Sequence, residues 1–375
     1  MVSDLIRGES CFLNAMPDDD HSAISAQDAK RLFADWKAAP AIVLAVSGGP
    51  DSLALMWLAV RWRGALARGP QLFAVTVDHG LRAESAAEAR AVKRLARSLE
   101  LPHRTMRWTG AKPKTGLPAA ARAARYHLLA QAAWASGATH VFTAHTRDDQ
   151  AETLLMRMLR GSGIAGMAAM ARQSERDGVL LARPLLHVAK SQLAATLKKA
   201  RIDFADDPTN RDLNFTRPRI RAVMPALAAE GGDARNLARL ASRLARANAA
   251  VEVLVDGAER YLALRDREIR HSGPGAKAFN AQVFNAKIFD FQTFARMPEE
   301  IRLRLLLRAI ERFGHEGPAE LGKVEALLSA LDDMVAENPG PRRPMLKRTL
   351  AGALVSLTDG RIRVGPAPPR RHRAD

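Results

Sequence analysis

The sequence predicts an α/β protein: a doubly wound parallel five-stranded sheet, followed by a helical domain and a small C-terminal region. Short apolar runs alternate with helical periodicity up to about residue 200. The β pattern then gives way to apolar residues at helical spacing, and the last part of the chain is rich in proline and arginine. A chain of 375 residues is long enough for two or three domains. The predicted boundaries are 1–222, 223–316 and 317–375.

Five short segments are predicted to form the sheet; the third, "PHRTMRW", has a weaker β pattern than the others. They are residues 41–46, 71–80, 102–108, 139–145 and 178–186. The first run, "AIVLAV", is entirely apolar, as expected for a strand buried on both faces. Because helical segments of suitable length separate the runs, the strands are predicted to be parallel, with helices on both faces. Ligands bind such sheets beyond the carboxyl ends of the strands, at the point where the strand order reverses.

The sequence after about residue 217 is predicted to be mainly helical. Apolar residues at helical spacing predict helices over 232–264 and 297–313. Thr358-Asp359-Gly360 lies between two apolar segments and predicts a hairpin. One face of the first helix carries arginines that are either solvated surface or contacts to a phosphate backbone; they are Arg235, Arg239, Arg243 and Arg246.

The positive charge of the chain is concentrated in two stretches. The formal net charge is +17. Residues 90–125 hold ten Lys and Arg against Glu100 alone, and residues 341–373 hold nine against Asp359 alone. Such stretches indicate a polyanionic partner, although an ordinary solvated face gives the same pattern.

No apolar run has the roughly 18 to 20 residues that cross a bilayer, and no secretion signal is recognised, so we expect a cytoplasmic protein without membrane contact.

The hexapeptide "SGGPDS" at 47–52 follows the first strand and opens a helix. Adjacent glycines let the backbone approach a bound group closely, and the free N–H groups of a helix start favour an anion such as phosphate. Asp51 or Ser52 is predicted to cap the first turn. An ordinary tight connection remains the alternative interpretation. The common lysine-type phosphate loop is excluded here because the hexapeptide lacks lysine, and "GPAELGKV" at 317–324 lacks the hydroxyl residue and the preceding strand.

The hexapeptide resembles the pyrophosphate loop, Ser-Gly-Gly-x-Asp-Ser, of enzymes that split ATP between its α and β phosphates and adenylate a substrate. The resemblance implies that the whole loop binds ATP. Its residues are Ser47, Gly48, Gly49, Pro50, Asp51 and Ser52. It also implies that Asp51 lies near the phosphates and their Mg²⁺.

A second motif, "HTRDDQAET", begins at the end of the fourth predicted strand. Asp149 and Glu152 are three residues apart, so a helix presents both carboxylates on one side. Acids such as Asp148 in a first turn also cap helices, and from this segment alone capping is the favoured interpretation. The position beside the pyrophosphate loop favours a second role, because paired carboxylates hold Mg²⁺ or the ammonium group of an amine. His145 is either a group that faces the ligand or a plain strand-end residue.

Several segments together resemble the tRNA(Ile)-lysidine synthetases, which have an adenine nucleotide α-hydrolase-like fold. They occur in the expected order over some 180 residues, and the resemblance is weak beyond residue 225. The segments are "SGGPDS", "VDHGLR", "AARAARY", "HTRDDQAET" with "RGSG", "RPLL" at 183–186 and "DPTNRDLNFTRPRIR" at 207–221. The resemblance implies adenylation of the wobble cytidine of an isoleucine tRNA with a CAU anticodon. The ε-amine of free lysine then displaces AMP.

The resemblance also implies roles for individual residues. Asp149 and Glu152 orient lysine and the metal, with Asp51 and Asp149 as metal ligands. Arg125 contacts the activated cytidine or the phosphates, and His145 lines the same site. The residues that close the site and touch tRNA are Asp207, Asn210, Arg217 and Arg221. Pro218 stands where the family usually has asparagine, and the C-terminal part is shorter than in long members. A homodimer is a further expectation.

Two rival functions are weighed against this one. A tRNA thiolase of the same superfamily generally needs cysteines near the nucleotide, but this chain has only Cys11, which precedes the first strand. A single cysteine also excludes an intramolecular disulfide and a zinc site built on several thiolates. A non-catalytic tRNA-binding protein is disfavoured by the intact loop and the intact acid pair.

Overall fold

The computed structural model describes residues 19–80, 85–110, 112–113, 115–204, 212–272, 286–336 and 345–368. The chain groups into two compact units, the first ending at Ala245 and the second beginning at Arg246. The three-part division at 222/223 and 316/317 stays a prediction.

The first unit is built on a six-stranded sheet. Its strands are β1 (Ala41–Ala45), β2 (Gln71–Asp78), β3 (His103–Arg107), β4 (His140–Phe142), β5 (Gln173–Arg176) and β6 (Val179–Ala182). Its helices are α1 (Ala26–Leu32), α2 (Pro50–Gly64), α3 (Ser85–Ser98), α4 (Leu117–Ala135), α5 (Arg147–Met158), α6 (Ile164–Met167), α7 (Lys190–Lys199), α8 (Thr216–Ala229) and the start of α9 (Ala234–Ser272). A short 3₁₀ helix covers Ala34–Trp36.

The strand order is β3-β2-β1-β4-β6-β5, and every described pair is parallel except β5 with β6. The predicted α/β class and its five strands are confirmed. The sixth strand, β5, was not predicted, because "QSER" lacks the apolar alternation of a half-buried strand. It forms a hairpin with β6 at the sheet edge.

The central strand β1 is buried on both faces, as its sequence predicts. Ile42 and Leu44 lie in one hydrophobic core, which includes residues of α1, α2 and α7. Val43, between them, lies in another core, which includes Leu129 and Ala133 of α4. Because successive strand side chains point to opposite faces, helices cover both sides of the sheet.

The second unit combines helices with a four-stranded antiparallel sheet. It contains the rest of α9, β7 (Lys287–Asp290), α10 (Phe291–Ala295), α11 (Glu299–Phe313), α12 (Leu321–Ala336), β8 (Leu346–Leu350), β9 (Ala353–Thr358) and β10 (Arg361–Pro366). The strand order is β7-β10-β9-β8. One hydrophobic core joins the sheet with α9, α11 and α12. The predicted helices correspond to α9 and α11.

The predicted hairpin is confirmed as β9 and β10. Asp359 and Gly360 have φ values of 51° and 73°, the left-handed conformation that two-residue hairpin turns require. A second such turn at Ala351 and Gly352 joins β8 to β9. The mainly helical prediction after residue 217 misses one strand, β7, which pairs with β10, because the four residues "KIFD" are too short to show a clear β pattern. No described helix is long and apolar enough to span a membrane.

Candidate active site

Two strand-to-helix junctions meet at the centre of the first sheet. Strands β1 and β4 are parallel neighbours with Ile42 opposite His140, so both junctions lie at the same sheet edge. The chain leaves β1 toward β2 on one side, whereas β4 lies on the other side. This reversal of strand order is the place where doubly wound sheets bind ligands.

The first junction carries the predicted pyrophosphate loop and leaves its helix start open. Gly48 has a φ of 95°, a conformation that side-chain-bearing residues rarely adopt. Gly49 is the N-cap of α2, and no side chain caps this end. The prediction that Asp51 or Ser52 caps the helix is therefore wrong, because Pro50 already occupies its first turn. The first N–H groups of α2 thus lack a side-chain cap and suit an anion.

The two serines of the loop bind each other rather than the helix end. Ser52 is buried, and its Oγ donates to the carbonyl oxygen of Gly49 at 2.9 Å. The same Oγ accepts from the Ser47 N–H at 3.1 Å and lies 3.3 Å from the Ser47 Oγ. These bonds fix the shape of the loop.

Asp51 is a carboxylate without a close partner in the described part of the chain. Burial, with smaller contributions from the charges of Asp149 and Asp148, raises its pKa to about 6 despite the nearby cations. No hydrogen bond or ion pair joins Asp51 to another described residue. A carboxylate oxygen in this condition fits a Mg²⁺ ion, which prefers oxygen ligands and takes few of them from protein.

Arg125 of α4 lines a small cavity at the ends of β1 and β2. The cavity has a volume of about 100 Å³, and its walls include Ser47, Thr76 and His79. Burial lowers the pKa of Arg125, and no hydrogen bond or ion pair joins its guanidinium to another described residue. A partly buried guanidinium with unused donors is suited to phosphate or to a base carbonyl.

The second junction closes its helix start with its own side chains. Thr146 is the N-cap of α5, and its N–H and Oγ1 donate to Asp149 Oδ2 at 2.9 and 3.0 Å. The Thr146 Oγ1 in turn accepts from the Asp149 N–H at 3.3 Å. This is a capping box, so the capping interpretation is correct for one oxygen of Asp149. Asp148 instead accepts the Lys190 N–H at 2.9 Å and fixes the start of α7.

The remaining oxygens of the acid pair bind cations. Asp149 Oδ1 lies 3.1 Å from Lys190 Nζ and 3.9 Å from Arg217 Nη1. Glu152 is almost fully buried; its Oε1 lies 2.6 Å from Arg221 Nε and 3.7 Å from Lys190 Nζ. Asp149 and Glu152 thus face one side of α5, as their spacing predicts.

The charges of this cluster shift the pKa values of its members. Burial pushes the pKa of Asp149 upward, but Lys190, the Thr146 N–H, His145 and Arg217 together bring it down to about 2. Burial acts to lower the pKa of Lys190, yet Asp149 and Glu152 hold it above its ordinary value. Asp149 and Lys190 are therefore both charged at neutral pH.

His145 is neutral and lies beside the acid pair. Burial, reinforced by nearby arginines, lowers its pKa to about 3. Its Nδ1 lies 2.9 Å from Thr143 Oγ1, and that hydroxyl donates to the Ala182 carbonyl oxygen at 3.4 Å. Because the hydroxyl has one proton, Nδ1 is assigned as the donor to Oγ1, which leaves Nε2 as a hydrogen-bond acceptor.

Sequence reasoning missed Lys190. The sequence contains one weak indication of its role. A positive charge in the first turn of a helix is unfavourable because of the helix dipole, so a lysine there indicates a nearby anionic partner.

Asp207, Asn210 and Cys11 lie outside the described residues. Arg217 and Arg221 are both in α8. Pro218, also in the first turn of α8, removes only an N–H that has no partner within the helix.

The described residues hold no cluster of three or more His, Cys, Asp or Glu that could bind a metal ion.

Comparison with known proteins agrees with this geometry. A family model described as a PP-loop domain matches residues 21–227. Among solved structures, a U34-tRNA thiolase from Methanococcus maripaludis, which carries a [4Fe-4S] cluster, superposes with a TM-score of 0.51. That match has 14% identity and covers 58% of this chain and 78% of the thiolase, so it shows a shared fold only.

Curated relatives match almost the whole chain. The tRNA(Ile)-lysidine synthase of Bradyrhizobium diazoefficiens is 68% identical, covering 96% of this chain and 99% of the relative. The enzyme of the same name from Rhodopseudomonas palustris is 64% identical with the same coverage. A longer relative from Ruegeria pomeroyi is 41% identical over 82% of this chain and 70% of its own length. The resemblance inferred from the motifs is confirmed, and the chain belongs to the tRNA(Ile)-lysidine synthase family.

Proposed function

We propose that this chain ligates free lysine to C2 of the wobble cytidine of a CAU-anticodon isoleucine tRNA, with ATP converted to AMP and pyrophosphate. One observation carries the proposal beyond family membership. An open helix start, suited to an anion, and a buried acid pair, suited to an ammonium group, occupy neighbouring strand ends of one sheet. The reaction needs both, since it releases pyrophosphate and then takes in an amine.

The anionic part of ATP belongs at the first junction. The N–H groups at the start of α2 have the direction and partial positive charge to bind the departing pyrophosphate. Ser47 and Ser52 keep the loop in the shape that presents these groups. Asp51, and in our proposal Asp149, would hold Mg²⁺, whose charge would offset the negative charge that develops on the phosphates.

Adenylation makes the oxygen on C2 of the cytosine a leaving group. That oxygen attacks the α-phosphorus of ATP, and the bond from this phosphorus to pyrophosphate breaks. Arg125, with its unused donors, is placed to contact the cytidine or the phosphates. His145 offers Nε2 as an acceptor for an amino or hydroxyl group of the nucleoside, and its low pKa excludes a cationic role.

Lysine then replaces AMP. The neutral ε-amine forms a bond to C2, the C2–O bond to AMP breaks, and the amine loses a proton. Asp149 and Glu152 hold the incoming ammonium form by charge. A pKa of about 2 makes Asp149 a weak base, so we assign it to holding lysine and leave proton acceptance to Glu152 or solvent.

The tRNA is proposed to bind at α8, and the basic stretches at 90–125 and 341–373 are further candidate contacts. Arg217 and Arg221 already cover the acid pair, which fits a role in closing the site around the nucleotide. Asp207 and Asn210 are also assigned to closing the site around the nucleotide, from the family motif alone.

The tRNA substrate implies a cytoplasmic location. The homodimer remains a proposal that light scattering on the purified protein tests.

The deciding experiment is incorporation of labelled lysine into isoleucine tRNA with a CAU anticodon, with methionine tRNA as the control. We expect label in the first tRNA only, with ATP required and pyrophosphate released. Sulfur incorporation without lysine would favour the thiolase. Binding of tRNA without pyrophosphate release would favour the non-catalytic alternative.

A further inference from the structure

Lys190 occupies the place that the proposed function assigns to a substrate. Its Nζ lies 3.1 Å from Asp149 Oδ1 and 3.7 Å from Glu152 Oε1. These are the carboxylates that are proposed to hold the amine of free lysine. Two ammonium groups that shared these oxygens would lie close together in a partly buried site and would repel each other.

We propose that Lys190 is an internal counter-ion, which neutralises the acid pair when substrate is absent and is displaced when lysine binds. This inference rests on the proposed function. It makes Lys190 a specificity-determining residue, since an entering amine has to compete with it and weakly bound cations fail to do so.

The charge balance favours displacement over simple addition. Asp149 and Glu152 carry two negative charges, and three cationic side chains already lie within 4 Å of them; these are Lys190, Arg217 and Arg221. A fourth cation would meet net repulsion in a partly buried site. One resident cation must therefore leave before an ammonium group gains full access to both acids.

Lys190 is the resident cation that can leave most easily. Arg221 contacts both oxygens of Glu152, at 2.6 and 3.4 Å, a two-point contact that holds a planar guanidinium in place. Lys190 has a point charge on a flexible stem, and 29% of its side chain is exposed. Its backbone is fixed separately, because its N–H donates to Asp148 Oδ2 at 2.9 Å. The ammonium group can thus swing away while α7 stays where it is.

The test is calorimetric titration of free L-lysine into full-length wild-type protein, Lys190→Met, Lys190→Arg and Lys198→Met. Lys198 is exposed on the same helix, so its variant makes the same change in net charge away from the acid pair. We expect Lys190→Met to tighten the Kd for lysine about fivefold or more, because one competing charge is gone. Lys198→Met should bind lysine as the wild type does. Lys190→Arg should bind lysine no more tightly than the wild type, because its guanidinium keeps a competing charge at the acid pair. Tightening is a useful readout because a loosened fold would weaken binding instead.

Each other result overturns a defined part of the scheme. If wild type binds lysine and Lys190→Met binds it equally or more weakly, Lys190 supports the substrate and the counter-ion role is wrong, whereas the proposed function stands. If Lys198→Met tightens binding as much as Lys190→Met, the effect is one of net charge and the inference also fails. If no variant, wild type included, binds lysine, the competition between Lys190 and free lysine is refuted, and the incorporation assay decides the proposed function separately.

Discussion

The two junctions at the centre of the first sheet have the same local architecture but offer groups of opposite charge to a ligand. The first offers backbone N–H groups, and the second offers carboxylate oxygens. Both run from a buried parallel strand into a helix, at neighbouring positions of one sheet. The helix after β1 begins with Gly49 and has no side-chain cap. The helix after β4 begins with Thr146 and has a complete capping box.

This difference separates anion binding from cation binding. At the open junction the backbone N–H groups stay available, so the helix start itself is the binding group. At the capped junction the Asp149 N–H donates to Thr146 and the Arg147 N–H donates to the Val188 carbonyl oxygen, which leaves the outward carboxylate oxygens as the binding groups. A fold that places both at one sheet edge can hold the phosphates of one substrate beside the amine of another.

The largest expected effect comes from removing the negative charge of Asp51 at the open junction. Asp51→Asn should reduce pyrophosphate release by roughly a thousandfold, the scale expected when a charged group at a phosphoryl-transfer site is lost. Affinity for tRNA should stay close to wild type, since the basic stretches are elsewhere in the sequence. Filter binding and a pyrophosphate assay measure the two quantities. Pyrophosphate release at the wild-type rate would remove Asp51 from the mechanism.

The same variant should stabilise the protein in a pH-dependent way. The pKa of Asp51 in the folded protein, about 6, exceeds the ordinary value of 3.8, so the folded state binds more protons between these values. Wild-type stability therefore falls as pH rises from about 4 to about 6, and Asp51→Asn escapes this loss. We expect the variant to be more stable by about 1–3 kcal/mol at pH 8, and by little at pH 4. Urea titrations at both pH values check this, and an advantage that is larger at pH 4 would contradict it.

The next effect tests the backbone of the open junction. Gly48→Ala puts a side chain at a φ of 95°, although the new Cβ would meet only ordinary contacts at 3.6 and 3.7 Å. The backbone strain should cost roughly 1–3 kcal/mol, seen as lower stability or a displaced loop with pyrophosphate release down about tenfold or more. Gly49→Ala is the control for stability, because that position has an ordinary φ of −73° and open space around it. Equal destabilisation by both changes would refute the backbone argument.

At the capped junction the corresponding change acts on lysine rather than ATP. Glu152→Gln removes one negative charge of the acid pair while keeping its size. We expect lysine affinity to fall about tenfold, or about 1.4 kcal/mol, and adenylated tRNA to accumulate when lysine is scarce. Single-turnover assays at several lysine concentrations measure both. If adenylation fails and lysine dependence stays normal, Glu152 serves the metal instead.

A smaller effect is expected from opening the capped junction. Thr146→Ala deletes the side chain that accepts the Asp149 N–H, which should cost about 1 kcal/mol of stability. Thr146→Ser keeps the hydroxyl and should retain most of that stability. Thermal unfolding of the three proteins measures the cap, and equal loss in both variants would show that Thr146 acts through its methyl group.

The smallest effect is expected from the converse change, in which the open junction receives a cap. Gly49→Ser is sterically permitted, since no atom lies within 4 Å of the added Cβ. The hydroxyl should stabilise α2 by a few tenths of a kcal/mol and compete with phosphate for the same N–H groups. ATP affinity should therefore fall a few-fold, as measured by nucleotide titration. Unchanged ATP affinity would show that the helix start is not the anion site.

The sequence alone determined what depends on near neighbours in the chain. The α/β class follows from alternating apolar runs, and the strand, glycine turn and helix around "SGGPDS" follow from that short segment and its neighbours. Asp149 and Glu152 share a helix face because they are three residues apart. The turn at Asp359-Gly360 follows from local backbone preference. Each of these features is set by periodicity or by the conformational freedom of one or two residues.

Only the tertiary structure decided what surrounds the acid pair. Lys190 and Arg221 are 41 and 69 residues from their carboxylate partners, on helices whose own sequences give no register against α5. The placement of α7 and α8 brings these cations within bonding distance of the acid pair. Charge pairs across such separations depend on how whole helices pack, and local spacing carries no information about that packing.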